Sequence, residues 1–196
     1  MATVTLNRPD GSPAPISELL FGGAGDNRSQ IVGSYAARRS HSVAHPVHYF
    51  TQNAHTKAVA CARQQAAAGH RLVFIAHSWG CDTALKVARR FGEPIDLLIG
   101  ADPVAKPGLV SPLLNPRPPN IKRLIHVDAL PDWQDRSDFV KALGWLIGGG
   151  IPRAYRQADA TITLRACHAA FHTMMKTSAP GERSAEDWIS ETILEG

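Results

Sequence analysis

The residues Ala76-His77-Ser78-Trp79-Gly80 carry the clearest chemical signal in the chain. A serine flanked two positions away on either side by small residues, between an apolar run and a helical pattern, fits a sharp strand-to-helix turn that lifts its hydroxyl above a sheet. A serine hydroxyl is a poor nucleophile near neutral pH. It needs a base to take its proton, and the base needs a carboxylate to hold its tautomer and balance its charge. The chain order expected with such a turn is Ser, then acid, then His. Asp102 and Asp128 each follow an apolar run after Ser78, with Asp132 a third choice. Asp102 is preferred, because a carboxylate at a strand end before the rigid Pro103 has little structural reason to be there. For the base, His168 follows the last strand pattern and His172 lies one helical turn later. His168 is preferred because strand ends are rigid and face the site. His77 adjoins the serine, but neighbours on a sharp turn point apart, so it is expected to pack on the sheet or bond locally. His41, His45, His48 and His55 are assigned to the surface or to supporting positions.

A nucleophile that attacks a carbonyl also needs two N–H donors for the developing oxyanion, one from the residue after the serine and one from a loop after an early strand. Trp79 supplies the first, and its position at a helix start adds the positive end of the helix dipole. The second belongs to Gly22-Gly23-Ala24-Gly25. That loop is not a phosphate cradle, since no Gly-Lys-Ser/Thr follows it.

These residues need a scaffold that brings distant chain segments to one edge. Residues 16–21, 46–50, 71–76, 95–101, 121–127 and 159–166 read as strands, and 56–68, 82–91 and 185–194 as helices, with Gly69 and Gly92 as stops. Strands that alternate with helices predict one α/β domain over residues 1–196, with a mostly parallel sheet covered on both faces. Ligands in such folds sit beyond the carboxyl ends of the strands, where the candidate residues fall. Residues 1–15 read as an N-terminal arm or edge hairpin, and the Pro-rich stretch 106–120 as a surface loop. Within 132–157, a lid or cap segment, the apolar run 139–147 reads either as a lid or acyl-chain wall or as an ordinary core helix.

The 196 residues carry a net charge of +4, with Lys and Arg scattered rather than gathered, which argues against nucleic acid as a partner. Cys61, Cys81 and Cys167 show no CxxC spacing and suggest neither a disulfide framework nor a zinc site. They read as small buried hydrophobes. With no signal-like or membrane-spanning run, the expectation is a protein that is cytoplasmic when made, with signal-independent export open.

The loop Gly22 to Asp26, the turn Ala76-His77-Ser78-Trp79-Gly80-Cys81-Asp82-Thr83-Ala84 and Asp102-Pro103-Val104 resemble the α/β-hydrolases of the lipase and esterase kind, including compact bacterial lipase-like proteins and type VI secretion phospholipase effectors. The resemblance covers roughly residues 20–175. It implies an α/β-hydrolase fold with little or no lid, Asp102 as the acid, His168 as the base and, by analogy with the His-Gly-x turn of lipases, Ala24 as the second N–H donor. Ala76 and Cys81 depart from it, each standing where the pattern has Gly; Cys81 is expected to crowd the helix start.

The expected activity is hydrolysis of a carboxylic ester through an acyl-Ser78 intermediate, with no metal and no organic cofactor. Thioester or amide hydrolysis would use the same residues. A non-catalytic binding protein of the same fold is the alternative from another class. Transient membrane contact through residues 139–147, Arg153 and Arg156 is a further expectation. Neither the two halves of the ester nor an oligomeric state is specified by the pattern.

Overall fold

Apolar runs that must be covered on both faces form the centre of the sheet. The computed structural model describes residues 14–106, 114–131 and 136–195. Six strands, β1 (Ile16–Phe21), β2 (Val47–Phe50), β3 (Arg71–His77), β4 (Ile95–Ala101), β5 (Ile121–Leu130) and β6 (Ala160–Arg165), form one sheet. Their order is β2-β1-β3-β4-β5-β6 and every pairing is parallel. All carboxyl ends therefore lie along one edge. Backbone bonds continue the ladders just past it: Gly22 N–H donates to Phe50 O, Ser78 N–H to Ala101 O, and Asp102 N–H to Val127 O at 2.8, 3.0 and 2.7 Å.

Alternation along the strands divides the core in two. On one face Leu20, Ile75, Ile99 and Val127 pack beneath α2 (Ile31–Ser42), α6 (Phe171–Lys176) and α7 (Ala185–Leu194). On the other, Leu19, Phe74 and Leu98 meet α3 (His55–Ala67), α4 (Trp79–Phe91) and a 3₁₀ turn, Arg153–Gln157. The α/β architecture follows, with a short α1 (Asp26–Ser29) leading into α2 and α5 (Arg136–Gly148) lying over the carboxyl edge.

Several local expectations change. Helix α4 opens at Trp79, where the serine turn places a helix start, and takes in the 82–91 pattern as its body. Strand β5 runs on to Leu130, so Asp128 stands inside a strand instead of after it. Cys61 and Cys167 are half-buried, and Cys81 alone of the three is fully buried. Helix α2 has no counterpart in the sequence reading. Its first turn is capped from the preceding turn by the buried Asp26, whose carboxylate accepts from the Val32 and Gly33 N–H groups at 3.0 and 3.2 Å. Arg39 then ties it to the buried Glu18 of β1 by two bonds of 2.7 Å.

Helix α5 overturns the reading of residues 139–147 as a core helix. Asp138, Gly144 and Gly148 turn inward, whereas Phe139, Val140, Leu143, Trp145, Leu146 and Ile147 are exposed. The apolar stripe faces solvent while the inner face of α5 sits close on the backbone at its C-terminal end. A Cβ on Gly148 would stand 1.8 Å from Ala105 O. Asp132 and nearly all of the N-terminal arm lie outside the described residues. Among those described, no helix is long and apolar enough to cross a membrane.

Candidate functional site

Where β3 meets α4, the backbone of Ser78 takes φ 53° and ψ −126°, a conformation that L residues rarely adopt. Its immediate surroundings explain the small residues around it. A Cβ on Gly80 would lie 2.2 Å from Phe21 O, and one on Gly23 would lie 2.8 Å from Ser78 Cβ. These absences of side chain let α4 and the Gly22–Gly25 loop close in on the serine. Cys81 is fully buried among α4 core residues, and its carbonyl accepts from the Tyr155 hydroxyl at 3.0 Å. Burial pushes its thiol well above the ordinary range, so it is inert.

Ser78, His168 and Asp102 meet above the sheet edge. Ser78 Oγ lies 3.1 Å from His168 Nε2, and His168 Nδ1 lies 2.6 Å from Asp102 Oδ2. All three are buried. Burial alone would raise the Asp102 carboxyl, but the hydrogen bond from His168 and the charge of Lys141 outweigh it and hold the group below the usual Asp value. A charged Asp102 keeps the imidazole proton on Nδ1, which leaves Nε2 free to accept the Ser78 hydroxyl proton. Asp102 also has a positive φ of 48°. The acid thus sits on a second strained corner, one strand away from the serine.

His168 is not at a strand end. It lies in the loop between β6 and α6, and three contacts fix that loop. Its N–H donates to Asp138 Oδ1 at 3.0 Å, and the next N–H, of Ala169, donates to Ser137 Oγ at 3.1 Å, both from the first turn of α5. From below, His77 Nε2–H donates to the His168 carbonyl at 2.8 Å while the two rings pack with centroids 4.7 Å apart. Burial drives His77 down to about 4, so it is neutral at physiological pH and acts as a hydrogen-bonded platform for His168.

The other candidates stand apart. Asp128 is part of β5, and the His168 ring nitrogen that it would have served bonds Asp102 instead. His172 is exposed on α6, with Nδ1 3.2 Å from Arg38 Nη2 and its ring edge-on to Tyr35. Ala24 lines the same cavity as Ser78 and His168, and Trp79 opens α4 directly after the serine. Among the described residues neither of their N–H groups donates to a backbone carbonyl. The cavity holds about 480 Å³ and is walled by Ile31 and Val140 beside Ser78 and His168, with Arg28 and Asp26 also lining it. This geometry suits transfer of a proton from a serine hydroxyl to an imidazole beside a mainly apolar pocket.

No protein-family model matches the chain, and no curated protein matches it.

The sequence reading missed four groups that shape this site: Lys141, Ser137 and Asp138 of α5, and Asp26, which accepts from the Tyr49 hydroxyl at 2.6 Å as well as capping α2. Asp26 had a visible signal, an acid closing a glycine loop. The α5 groups had none, because their partners in the site, His168, Ala169 and Asp102, are 30 or more residues away in sequence. Among the described residues no group of three or more His, Cys, Asp or Glu side chains is arranged to hold a metal ion.

Proposed function

We propose that this chain is a serine hydrolase of the α/β-hydrolase kind that cleaves carboxylic esters through an acyl-Ser78 intermediate. The observation that carries the reading is the buried Ser78–His168–Asp102 array at hydrogen-bond spacing on a strained turn. The sheet order adds support, since the serine follows β3, the acid β4 and the histidine β6, all at the carboxyl edge.

In this reading Ser78 Oγ attacks the ester carbonyl carbon as His168 Nε2 takes its proton. The tetrahedral oxyanion accepts from the N–H groups of Trp79 and Ala24, at the positive end of α4. His168 then returns the proton to the departing alkoxide, leaving an ester between Ser78 and the acyl group. Water enters, gives a proton to His168 and attacks the acyl carbon; the acid departs as Ser78 regains its proton. Asp102 stays charged throughout and balances the imidazolium. The wall formed by Ile31 and Val140 favours an apolar acyl portion.

A chain-length series of p-nitrophenyl esters, with matched thioesters and anilides, tests this. Turnover of the esters should exceed that of the anilides, rise with acyl length beyond acetate, and fall at least about 10³-fold in Ser78→Ala. Turnover that survives in Ser78→Ala would remove the proposed nucleophile.

A further inference from the structure

Asp102 has two carboxylate oxygens, and each faces a different cation or potential cation. Oδ2 meets His168 Nδ1, while Oδ1 meets the ammonium of Lys141 at 2.5 Å. Lys141 comes from α5, and its Nζ also donates to the Ala129 carbonyl of β5 at 3.0 Å. Its position is therefore fixed from two sides, with a quarter of its side chain exposed.

The electrostatic consequence follows from the mechanism's charge changes. When an imidazole accepts a proton next to a carboxylate, the carboxylate's full negative charge stabilises the new positive charge. A second cation on the same carboxylate reduces that stabilisation and repels the imidazolium. The base is then weaker, but a larger share of it is neutral in mildly acidic solution. The other charged or titratable groups around Asp102 are His77 beneath the His168 ring, His126 on β5 and Cys81 on α4. Burial lowers both of these histidines and raises the thiol, which keeps all three uncharged near neutrality. Asp138 acts on the His168 backbone N–H. Among the described residues, Lys141 is thus the cation paired with Asp102 in the resting site.

We propose that Lys141 is a positioning residue that sets the working pH of the site: by pairing Oδ1 of Asp102 it keeps His168 neutral in mildly acidic solution, and through it the seat of α5 is coupled to the reactivity of Ser78. The proposal rests on the serine-hydrolase reading.

The test uses an alkyl fluorophosphonate, which needs no knowledge of the natural substrate. Ser78 Oγ would form a bond to phosphorus as fluoride leaves, with the serine proton passing to His168. The rate of adduct formation is followed by intact mass from pH 4.5 to 9 on the full chain, for wild type, Lys141→Arg, Lys141→Gln and Lys141→Met. Lys141→Gln removes the charge while keeping a hydrogen-bond donor on a slightly shorter side chain, which guards against a Met variant that does not fold. In both neutral variants the acid limb of the rate profile should move up by about one pH unit, so that labelling falls severalfold across the limb and roughly tenfold at its acid end. Lys141→Arg should retain the wild-type limb. A Lys141→Gln limb that coincides with wild type, in a protein with an unchanged thermal midpoint, would overturn the proposal while leaving the hydrolase reading intact. Absence of an adduct on the wild type would overturn that reading and the proposal together.

Discussion

His77 shows how much a single side chain can contribute away from the reacting atoms. It is fully buried, gives its Nε2 proton to the His168 carbonyl, and has its pKa depressed to about 4 by burial. A histidine with a lowered folded pKa binds fewer protons folded than unfolded, so stability rises with pH across the window between the two values. From the ordinary value of 6.5 to about 4 that amounts to about 3 kcal/mol, fully present above pH 6.5 and lost on acidification. His77→Phe should keep the ring packing and flatten the pH dependence of the denaturant midpoint between pH 6.5 and 4. At pH 7 it should be less stable by about 1–3 kcal/mol, because the His168 carbonyl loses its donor. An unchanged slope would show that His77 is not buried neutral. Asp102 acts in the same direction at lower pH: its lowered folded pKa adds stability above the unfolded value, which is lost as the pH drops through the folded one.

At the scale of elements, the close approaches are the vulnerable points. Gly80→Ala puts a methyl against the Phe21 carbonyl and should cost about 2–3 kcal/mol while shifting the serine turn. Labelling of Ser78 should then fall more than stability predicts. Gly148→Ala drives a methyl into Ala105 O and should lift α5 from its seat, seen as lost hydrogen-exchange protection in α5 with the sheet unaffected. The elements most legible in the sequence were those stabilised locally or by plain burial. The run Leu72-Val73-Phe74-Ile75-Ala76 is wholly buried and could be little other than a central strand. Helix α2 was not legible, because Gly33, Ser34, Ser40 and Ser42 are poor helix formers. Its support comes from tertiary partners: Glu18 from β1 and a cap from the previous turn. The meeting of Ser78 and Asp102 could be anticipated from strand ends, and that of His168 from its place shortly after the last strand pattern, whereas the α5 clamp on His168 and Asp102 could not, since sequence spacing says nothing about which helix folds over an edge.

At the scale of the whole molecule, exposed apolar side chains among the described residues gather on α5, which lies over the same edge of the sheet as the site. Helix α5 turns Phe139, Trp145 and Leu146 outward at 69%, 54% and 75% exposure, while Val140 lines the cavity beside Ser78. Membrane contact through residues 139–147 is expected from the sequence, and lipid vesicles are a direct probe of it. Trp145 emission should shift to the blue on phosphatidylglycerol vesicles, and Phe139→Glu with Leu146→Glu should abolish the shift while leaving hydrolysis of short soluble esters intact. Loss of both together would instead make α5 part of the folding core. The central claim concerns Ser78 itself, and intact mass after treatment with a fluorophosphonate tests it most directly. Wild type should gain one adduct and Ser78→Ala none. No adduct on folded wild-type protein, with or without detergent micelles, would contradict the account and favour a binding protein that has kept the shape of a hydrolase site.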